Sequence, residues 1–327
     1  MAHHPSAEPR ILITGASGFV GSRLLSRLQQ AKPRAALLAV GGPVQQGDLR
    51  AVDLTDGRAV WRLVEDFEPS IIVHLAAQSS VGEGSRDPDV VWKANFDGTR
   101  AVAAAGKSVA NKNGAPLRFV FASSAEVYGT SFTLGPCVEE APLGPISVYG
   151  RSKAACEYVL GDMAADALDI IALRLFNHTG PGQDARFVVP ALARRVAQIP
   201  AGEPGKILTG NLDTERDFTD IDDVIEAYMA VICDDRPAVG GRFRAFNVGS
   251  GVTRSMRSVL LRLAELHGAP ITGELDPQML RATEIARTVG RFERFSETYG
   301  WTARHDFANT IQAILTYERS RLDTDTQ

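Results

Sequence analysis

The chain has 327 residues, of which 44% are hydrophobic and 23% are charged, and its formal net charge is −4. This composition is typical of a globular protein with a core large enough for two lobes. The charge is not basic enough for nucleic acid to be the main partner. Because no run of about 20 apolar residues occurs, no membrane-spanning helix is expected either.

The first residues and the cysteines bear on the cellular compartment in which the protein is expected. The first ten residues contain no apolar segment, so they are not expected to form a secretion signal. Cys137, Cys156 and Cys233 are widely spaced and odd in number, which fits a reducing cytoplasm and neither a disulfide framework nor a zinc site. No metal site is expected, and residues 1–9 and 321–327 are expected to be disordered ends.

The stretch from Arg10 to Leu28 predicts a strand that turns directly into a helix. Three apolar residues form the strand, Gly15, Gly18 and Gly21 follow it, and apolar residues then recur at helical spacing. Glycines at such a turn let a pyrophosphate approach the backbone N–H groups at the positive end of the helix. The spacing is Gly-x-x-Gly-x-x-Gly rather than the commoner Gly-x-Gly-x-x-Gly. The pattern predicts a dinucleotide site.

Strand-like and helical segments alternate through the first half of the chain. This alternation predicts an α/β fold, a doubly wound parallel-sheet Rossmann domain joined to a smaller mixed α/β substrate lobe. Past residue 178, prolines and glycines break the rhythm. We therefore expect residues 10–178 with 216–250 to form the dinucleotide-binding domain, and residues 179–215 with 251–320 to form the substrate lobe.

The segment after the second predicted strand bears on the choice of cofactor. The strand, Ala36 to Val40, is followed by Gly41-Gly42, without the carboxylate that would bind the ribose hydroxyls of NAD. Nothing there repels a 2′-phosphate, and Arg23, Arg34 and Arg50 are candidates to bind one. The sequence favours NADP(H), with NAD(H) as the alternative.

Tyr149 and Lys153 are four residues apart and would share one face of a helix. A free tyrosine has a pKa of about 10, and a neighbouring ammonium stabilises the phenolate and lowers that pKa. Ser124, at the carboxyl end of a strand, would hydrogen-bond the same carbonyl oxygen. The three groups predict a proton donor aimed at a carbonyl that receives hydride. The rival Tyr128 has no lysine four residues later and is expected to pack between the lobes.

Several motifs together resemble the extended short-chain dehydrogenases/reductases, in the branch that modifies nucleotide sugars. They are Thr14 to Gly21, His74-Leu75-Ala76-Ala77, Asn95, Ser124, Tyr149-x-x-x-Lys153, Arg216-Asp217-Phe218-Thr219-Asp220 and Phe246-Asn247-Val248-Gly249-Ser250. The likeness covers nearly the whole chain. Within that branch, residues 174–183, residues 210–213 and Arg281-x-x-Glu284 resemble enzymes that handle GDP-hexoses.

The resemblance implies residues for each part of a reaction. The catalytic residues would be Ser124, Glu126, Tyr149 and Lys153. The cofactor would contact Gly15, Ser17, Gly18, Phe19, Val20, Gly21, Arg23, Asp53, Leu54, Leu75, Ala76, Ala77 and Asn95, together with Tyr149 and Lys153. The substrate would contact Ser79, Ser80, Glu126, Asn177, Val188, Asn211, Arg216, Arg281 and Glu284. Guanidinium groups in this set suit a diphosphate because they donate two parallel hydrogen bonds.

The implied activity is reduction by NADPH of a GDP-linked 6-deoxy-4-keto-hexose, GDP-4-dehydro-6-deoxy-D-mannose. The product would be GDP-D-rhamnose or its C4 epimer, GDP-6-deoxy-D-talose. Conversion of GDP-mannose to its 4-keto-6-deoxy form with a recycled cofactor stays open, because Glu126 matches the base that removes the C5 proton in that reaction. Residues 75–81, and Val189-Pro190-Ala191 where the dehydratases have an Arg-Lys pair, favour reduction. A dinucleotide-binding regulator without turnover is the remaining alternative.

The resemblance also implies an assembly. The helical segments near residues 89–110 and 149–164 are similar to those that form a dimer interface in this family. We therefore expect a cytoplasmic homodimer that has no nucleic-acid or membrane partner.

Overall fold

The computed structural model describes residues 8–78, 87–164, 167–280 and 284–325. The predicted substrate residues Ser79, Ser80 and Arg281 lie outside the described residues, as do residues 1–7 and 326–327 of the expected disordered ends. The chain divides into two compact units. The first consists of Met1–Val127, Ser147–Arg174 and Ile225–Phe246, and the second of Tyr128–Ile146, Leu175–Val224 and Asn247–Gln327.

Strands and helices alternate from the start of the described chain. In chain order they are β1 (Arg10–Thr14), α1 (Phe19–Ala31), β2 (Ala36–Val40), α2 (Gly57–Phe67), β3 (Ile71–His74), α3 (Pro88–Trp92), α4 (Gly98–Asn113), β4 (Leu117–Ser124), α5 (Val148–Met163), β5 (Leu168–Leu175), β6 (Asn177–Thr179), α6 (Val188–Ala197), β7 (Gly205–Thr209), β8 (Glu215–Asp220), α7 (Ile221–Ile232), β9 (Arg242–Val248), β10 (Thr253–Ser255), α8 (Met256–His267), β11 (Ile271–Leu275), β12 (Arg287–Thr288), α9 (Glu293–Tyr299) and α10 (Phe307–Asp325). A π-helical turn, Lys93–Asp97, joins α3 to α4.

Six strands form one sheet in the order β2-β1-β3-β4-β5-β9. β1 pairs in parallel with both β2 and β3, and β3 pairs in parallel with β4. Because the strands run the same way, the turns that follow β1, β3 and β4 lie at one edge of the sheet. The predicted doubly wound Rossmann fold is confirmed.

Strand β1 shows why helices must cover both faces of this sheet. Ile11, Leu12 and Ile13 are all completely buried. Leu12 belongs to a core cluster that includes Val60 and Val64 of α2. Successive side chains of a strand point to opposite faces, so Ile11 and Ile13 face the other side. Strands that are apolar on both sides are typical of a parallel sheet between two helical layers.

The second unit has its own sheets and its own core. β8 pairs with β10, β12 and β6, and β7 pairs in parallel with β11. Apolar side chains of three helices, α6, α8 and α10, share one cluster, which includes Leu192, Val196, Leu260, Leu263, Ile311 and Ile314. Helix α10 continues to Asp325, beyond residue 320 at which the sequence places the end of the substrate lobe. Among the described helices, none is both long and apolar enough to cross a membrane.

A buried arginine on β4 holds the end of α7 in the first unit. The guanidinium of Arg118 donates to the carbonyl oxygens of Val231, Asp234 and Arg236 at 3.1, 2.9 and 2.5 Å. The last carbonyls of a helix have no intrahelical partners. One side chain therefore satisfies several carbonyls where α7 leads towards β9.

We predict that Arg118→Met lowers the free energy of unfolding by about 3 kcal/mol, because buried carbonyls lose their donor. Arg27→Met is the matched control. The Arg27–Glu226 pair is 2.7 Å long but about half exposed, so its loss should cost less than about 1 kcal/mol. Denaturant unfolding of both variants measures the difference, and equal costs would contradict the structural role of Arg118.

Candidate active site

The turn between β1 and α1 requires glycine at two positions. Gly15 has a φ of +73°, and a Cβ there would lie 2.6 Å from the backbone nitrogen of Ala76. A Cβ at Gly21 would lie 2.1 Å from the carbonyl oxygen of Gly15. Strand, turn and helix can approach this closely only where no side chain intervenes. The result is a bare-backbone cradle of the kind that admits a phosphate.

The N-terminus of α1 offers backbone donors to an anion. Its N-cap is Gly18, which makes no side-chain cap hydrogen bond, and its first turn contains no acidic residue. The first N–H groups of a helix have no intrahelical acceptor, and the helix dipole makes this end positive. Ser17 and Gly18 are exposed, and Phe19 and Val20 are partly exposed. These residues fit the pyrophosphate of a dinucleotide.

Of the three arginines considered for a 2′-phosphate, two lie at this edge of the sheet. The guanidinium of Arg23 donates to the carbonyl oxygen of Phe19 at 3.1 Å and lies over the Phe19 ring. The backbone nitrogen of Arg50 donates to Ala39 at 2.8 Å, which places it beside the carboxyl end of β2. Arg34 precedes β2 and lies at the opposite edge, about 16 Å away along a five-residue strand. Arg34 therefore does not fit the role.

The remaining predicted cofactor residues follow β2 and β3. The carboxylate of exposed Asp53 accepts hydrogen bonds from Thr55, which lower the pKa of Asp53 below its usual value. Leu54 lies against the backbone of Gly98 in α4. Leu75, Ala76 and Ala77 follow β3, whose last residue pairs with Thr14 of β1. The loop after β3 therefore lies beside the glycine turn.

A buried histidine connects the end of β1 to the π-helical turn. Thr99 donates its hydroxyl to the carbonyl oxygen of Asn95 at 2.5 Å, so it accepts from Nε2 of His74 at 3.0 Å. Nδ1 of His74 consequently accepts from the hydroxyl of Thr14 at 2.7 Å. Burial, and then the charge of Lys153, lower the pKa of His74 to about 3. The ring is neutral, and it links the cofactor turn to the residues around Asn95.

Asn95, in the π-helical turn, is almost completely buried. Its Oδ1 accepts from the backbone nitrogen of Gln78 at 2.7 Å, and its Nδ2 donates to the Gln78 carbonyl oxygen at 3.2 Å and to Ser152 at 2.9 Å. The Ser152 hydroxyl in turn donates to the carbonyl oxygen of Tyr149 at 2.8 Å. Asn95 thus holds the loop after β3 and the start of α5 together. Single π-helical turns often mark functional sites.

The structure brings the predicted serine, tyrosine and lysine together. Helix α5 begins at Val148 because Ser147 caps it, accepting from the backbone nitrogen of Gly150 at 2.9 Å. The Ser124 hydroxyl, at the end of β4, is close enough to the Tyr149 phenol to oppose the rise of its pKa. One turn further, the ammonium of Lys153 lies 5.8 Å from the centre of the Tyr149 ring.

Glu126 lies in the short turn Ala125–Val127, directly after the strand that carries Ser124. Its backbone nitrogen donates to the Ser124 hydroxyl at 3.2 Å, and its Oε2 accepts from Ser147 at 3.2 Å. The carboxylate is half-buried and close enough to Tyr149 to act on its charge. A third acid–base group therefore accompanies the predicted pair.

The expected lowering of the tyrosine pKa is not provided by the chain's own groups. Burial is the largest influence on Tyr149 and raises its pKa to about 12, opposed by the Ser124 hydrogen bond. Burial likewise lowers the pKa of Lys153 to about 8. Removal from water disfavours both charged forms, and this outweighs the attraction between ammonium and phenolate that the spacing suggested. At neutral pH the phenol is protonated and Lys153 is charged.

The predicted substrate residues within the described chain lie in the second unit, apart from Glu126. Asn177 begins β6 and is exposed, and Val188 begins α6. Arg216 lies on β8, which pairs with β6, and its guanidinium donates to the carbonyl oxygen of Glu215. Asn211 and Glu284, 73 residues apart, meet through a 3.1 Å hydrogen bond from Nδ2 to Oε2.

Tyr128, the rival tyrosine, belongs to the second unit and is completely buried. Its hydroxyl donates to Oδ1 of Asn247 at 2.7 Å. Asn247 also donates to the carbonyl oxygens of Cys137 and Arg291, both at 3.0 Å. Tyr128 is part of a buried polar network that connects distant segments.

A buried ion pair beside Lys153 was not predicted from the sequence. Glu157, four residues after Lys153 on α5, accepts two hydrogen bonds from the guanidinium of Arg174 on β5. The available signal was a pair of charged residues, Asp169 and Arg174, in a mostly apolar strand, because charged groups are rarely buried without a partner. The partner itself could not be identified from spacing.

Comparison with known proteins gives matches along almost the whole chain. The family described as GDP-mannose 4,6 dehydratase matches residues 12–314. GDP-6-deoxy-D-mannose reductase from Pseudomonas aeruginosa is 31% identical over 316 residues, which cover 96% of this chain and 98% of that protein.

Solved structures agree with this fold. The structure of RMD from Pseudomonas aeruginosa complexed with NADPH has a TM-score of 0.80 at 29% identity, and the match covers 96% of this chain and 99% of that one. The structure of UDP-glucose 4-epimerase from Thermus thermophilus with NAD has a TM-score of 0.78 at 28% identity, covering 95% and 99%.

We predict that Gly15→Ala weakens NADPH binding at least about tenfold, because its Cβ would collide with the backbone of Ala76. Gly57→Ala is the control, since a Cβ there meets no atom within 4 Å among the described residues. Titration of NADPH fluorescence measures both affinities, and circular dichroism confirms folding. A folded Gly15→Ala protein with unchanged affinity would show that the cradle is not the binding site.

Proposed function

The chain belongs to the GDP-mannose 4,6 dehydratase family within the extended short-chain dehydrogenases/reductases, and we therefore propose that it reduces GDP-4-dehydro-6-deoxy-D-mannose with NADPH. The product is GDP-D-rhamnose, or GDP-6-deoxy-D-talose if hydride attacks the other face of C4. The main support is the grouping of Ser124, Tyr149 and Lys153 at the sheet edge that carries the glycine turn. More broadly, the protein is an NAD(P)-dependent enzyme of the nucleotide-sugar reductase and epimerase type.

The glycine turn and the first residues of α1 would hold the pyrophosphate, with Arg23 and Arg50 available to a 2′-phosphate. When bound, NADPH supplies the hydride that reduces the C4 ketone. Tyr149 delivers the accompanying proton to the ketone oxygen, and its raised pKa keeps the phenol protonated until that transfer. The Ser124 hydroxyl donates to the same oxygen, so charge that develops there meets a preorganised donor.

Lys153 stabilises the phenolate that remains after proton transfer. Its ammonium donates a 2.6 Å hydrogen bond to the carbonyl oxygen of Ala122 on β4. Lys153 lies on α5, one helical turn after Tyr149. The attraction between the ions is larger here than in water, because the site is shielded from solvent. Asn95, through Ser152, fixes the backbone of Tyr149 and thereby orients the phenol.

Residues of the second unit supply groups that suit a GDP-sugar. Arg216 matches the guanidinium that the family uses for the diphosphate, and paired donors recognise phosphate oxygens well. Glu284, oriented by Asn211, offers a carboxylate to hydroxyl groups of the ribose. Asn177 and Val188 would contact the sugar or the diphosphate. The choice of GDP follows the GDP-linked relative and the GDP-hexose motifs.

Dehydration of GDP-mannose is the second candidate, and Glu126 favours it. The carboxylate lies two residues beyond Ser124, and it acts electrostatically on Tyr149. A base at this position can remove the proton at C5 that elimination of water requires. The two candidate functions differ in the 4-keto compound, which reduction consumes as substrate and dehydration forms as product.

The test is incubation with purified GDP-4-dehydro-6-deoxy-D-mannose and NADPH. We expect absorbance at 340 nm to fall in step with formation of a GDP-deoxyhexose. If GDP-mannose alone yields a 4-keto product, the dehydratase alternative replaces this proposal, and if UDP-glucose alone yields UDP-galactose, an epimerase activity replaces it. Tyr149→Phe should lose at least 100-fold in kcat while it still binds NADPH, since only proton transfer is removed. Tyr158→Phe, on the exposed side of the same helix, should keep its activity.

We also propose that the protein is a homodimer through α4 and α5. These helices pack on each other, and large apolar side chains of α5 and the neighbouring α3 are exposed, including Tyr158, Val90 and Trp92. Adjoining helices with exposed apolar side chains can form an interface between subunits.

Sedimentation should show a species of about 70 kDa, twice the 35.2 kDa of the chain. Tyr158→Glu would place a charge on the proposed interface and should shift the protein to the monomer. Leu261→Glu, equally exposed but on α8 of the second unit, should leave the dimer intact. A wild-type monomer would contradict the proposal.

A further inference from the structure

Glu157 is a buried carboxylate on the helix that carries the catalytic pair. It follows Tyr149 and Lys153 at successive intervals of four residues, so the three side chains share one face of α5. Only 4% of Glu157 and 2% of Lys153 are exposed. Ionised groups are rarely this inaccessible unless partners compensate for lost hydration.

The partners of Glu157 come from two neighbouring strands. Nε of Arg174 donates to Oε1 at 3.0 Å and Nη2 donates to Oε2 at 2.6 Å, a forked ion pair with β5. The hydroxyl of Ser123, on β4, donates to Oε1 at 2.5 Å. Paired charge-assisted hydrogen bonds of this kind fix direction as well as distance.

Three consecutive residues of β4 lie against side chains on three successive turns of α5. Ala122 accepts from Lys153 at 2.6 Å, and Ser123 donates to Glu157. The next residue of the strand is Ser124, which lies close to the phenol of Tyr149. A slip of α5 along β4 would therefore break the Glu157 contacts and separate the catalytic groups together.

Glu157 also differs in charge from the other groups that act on Lys153. Cys156 and Tyr149 on α5 have pKa values raised by burial and are neutral at pH 7, and His74 on β3 is neutral because its pKa is about 3. The Phe121 ring, 4.7 Å from the ammonium, carries no net charge. Burial lowers the pKa of Lys153, and Cys156 and then Glu157 raise it. Because Cys156 is neutral at pH 7, Glu157 is the ionised group of the two, and its ion pair with Arg174 reduces its effect on Lys153.

We propose that Glu157 is a positioning residue of the proposed catalytic pair: held by Arg174 and Ser123, it fixes α5 against β4 and places a negative charge one helical turn from the Lys153 ammonium. The role assigned to Lys153 rests on the proposed function, but the effect of Glu157 on its protonation does not. Glu157 itself is assigned no contact with substrate or cofactor.

The test measures the titration of Lys153 directly. The chain contains only six lysines, so protein labelled with 13C at lysine Cε gives a short set of signals, and Lys153→Met assigns the one of interest. We expect that signal to titrate near pH 8 in the wild type, because burial lowers the pKa of Lys153 to about 8. In Glu157→Gln the midpoint should fall by about 0.5–1 pH unit, because an opposite charge nearby has been removed.

Glu226→Gln is the matched control, since Glu226 forms an ion pair with Arg27 on the surface of the same unit. Its Lys153 midpoint should equal that of the wild type. If Glu157→Gln does not fold, the double variant Glu157→Gln, Arg174→Gln leaves no buried charge unpaired, and its midpoint should still lie below the wild type. An unchanged midpoint in a folded Glu157 variant overturns the proposal.

The readout separates this inference from the proposed reaction. Should the keto-sugar be reduced, the decline of kcat at alkaline pH should shift by the same amount and in the same direction as the Lys153 midpoint. A shifted titration with no turnover of the keto-sugar would retain the role of Glu157 and reject the substrate.

Discussion

The burial of one ammonium group sets the requirements that the rest of the proposed catalytic region meets. Lys153 is almost inaccessible to water, and loss of hydration lowers its pKa to about 8. The Ala122 carbonyl replaces part of the lost hydration, and the nearby His74 avoids repulsion because it is neutral. A charge kept in this way interacts strongly with a phenolate one helical turn away, which a hydrated lysine on the surface would not do.

The first unit places this charge beside the glycine turn through the direction of its strands. β1, β3 and β4 are parallel, so the cradle at Gly15, the loop after His74 and the end of β4 at Ser124 share one edge. Hydrogen bonds then couple these loops: Thr14 to His74, Thr99 to Asn95, and Asn95 to the start of α5. The glycine turn and the Tyr149–Lys153 pair are therefore parts of one connected hydrogen-bond network.

A feature could be predicted from the sequence where the residues that produce it lie close together in the chain. The glycine turn and the Tyr149–Lys153 spacing depend on neighbours within a few residues, so periodicity and turn chemistry were sufficient. The raised pKa of Tyr149 depends on burial, and the exclusion of Arg34 from a 2′-phosphate site depends on strand direction. Only the assembled sheet determines burial and strand direction. His74 and Glu157 find partners 60 and 34 residues away, and no local pattern identifies such pairs. The prediction that Asn211 and Glu284 contact substrate came from family resemblance rather than from any local rule.

The interleaving of the two units has a consequence for how the protein is made. Residues 225–246, including most of β9 at the edge of the central sheet, come after long segments of the second unit. A ribosome must therefore release 246 of 327 residues before the nucleotide-binding unit has all its strands. During that interval the edge of β5 is uncovered, and exposed strand edges readily pair with other chains. Nascent copies of this protein thus pass through a stage in which one side of the central sheet has no partner strand, and such intermediates are prone to aggregation.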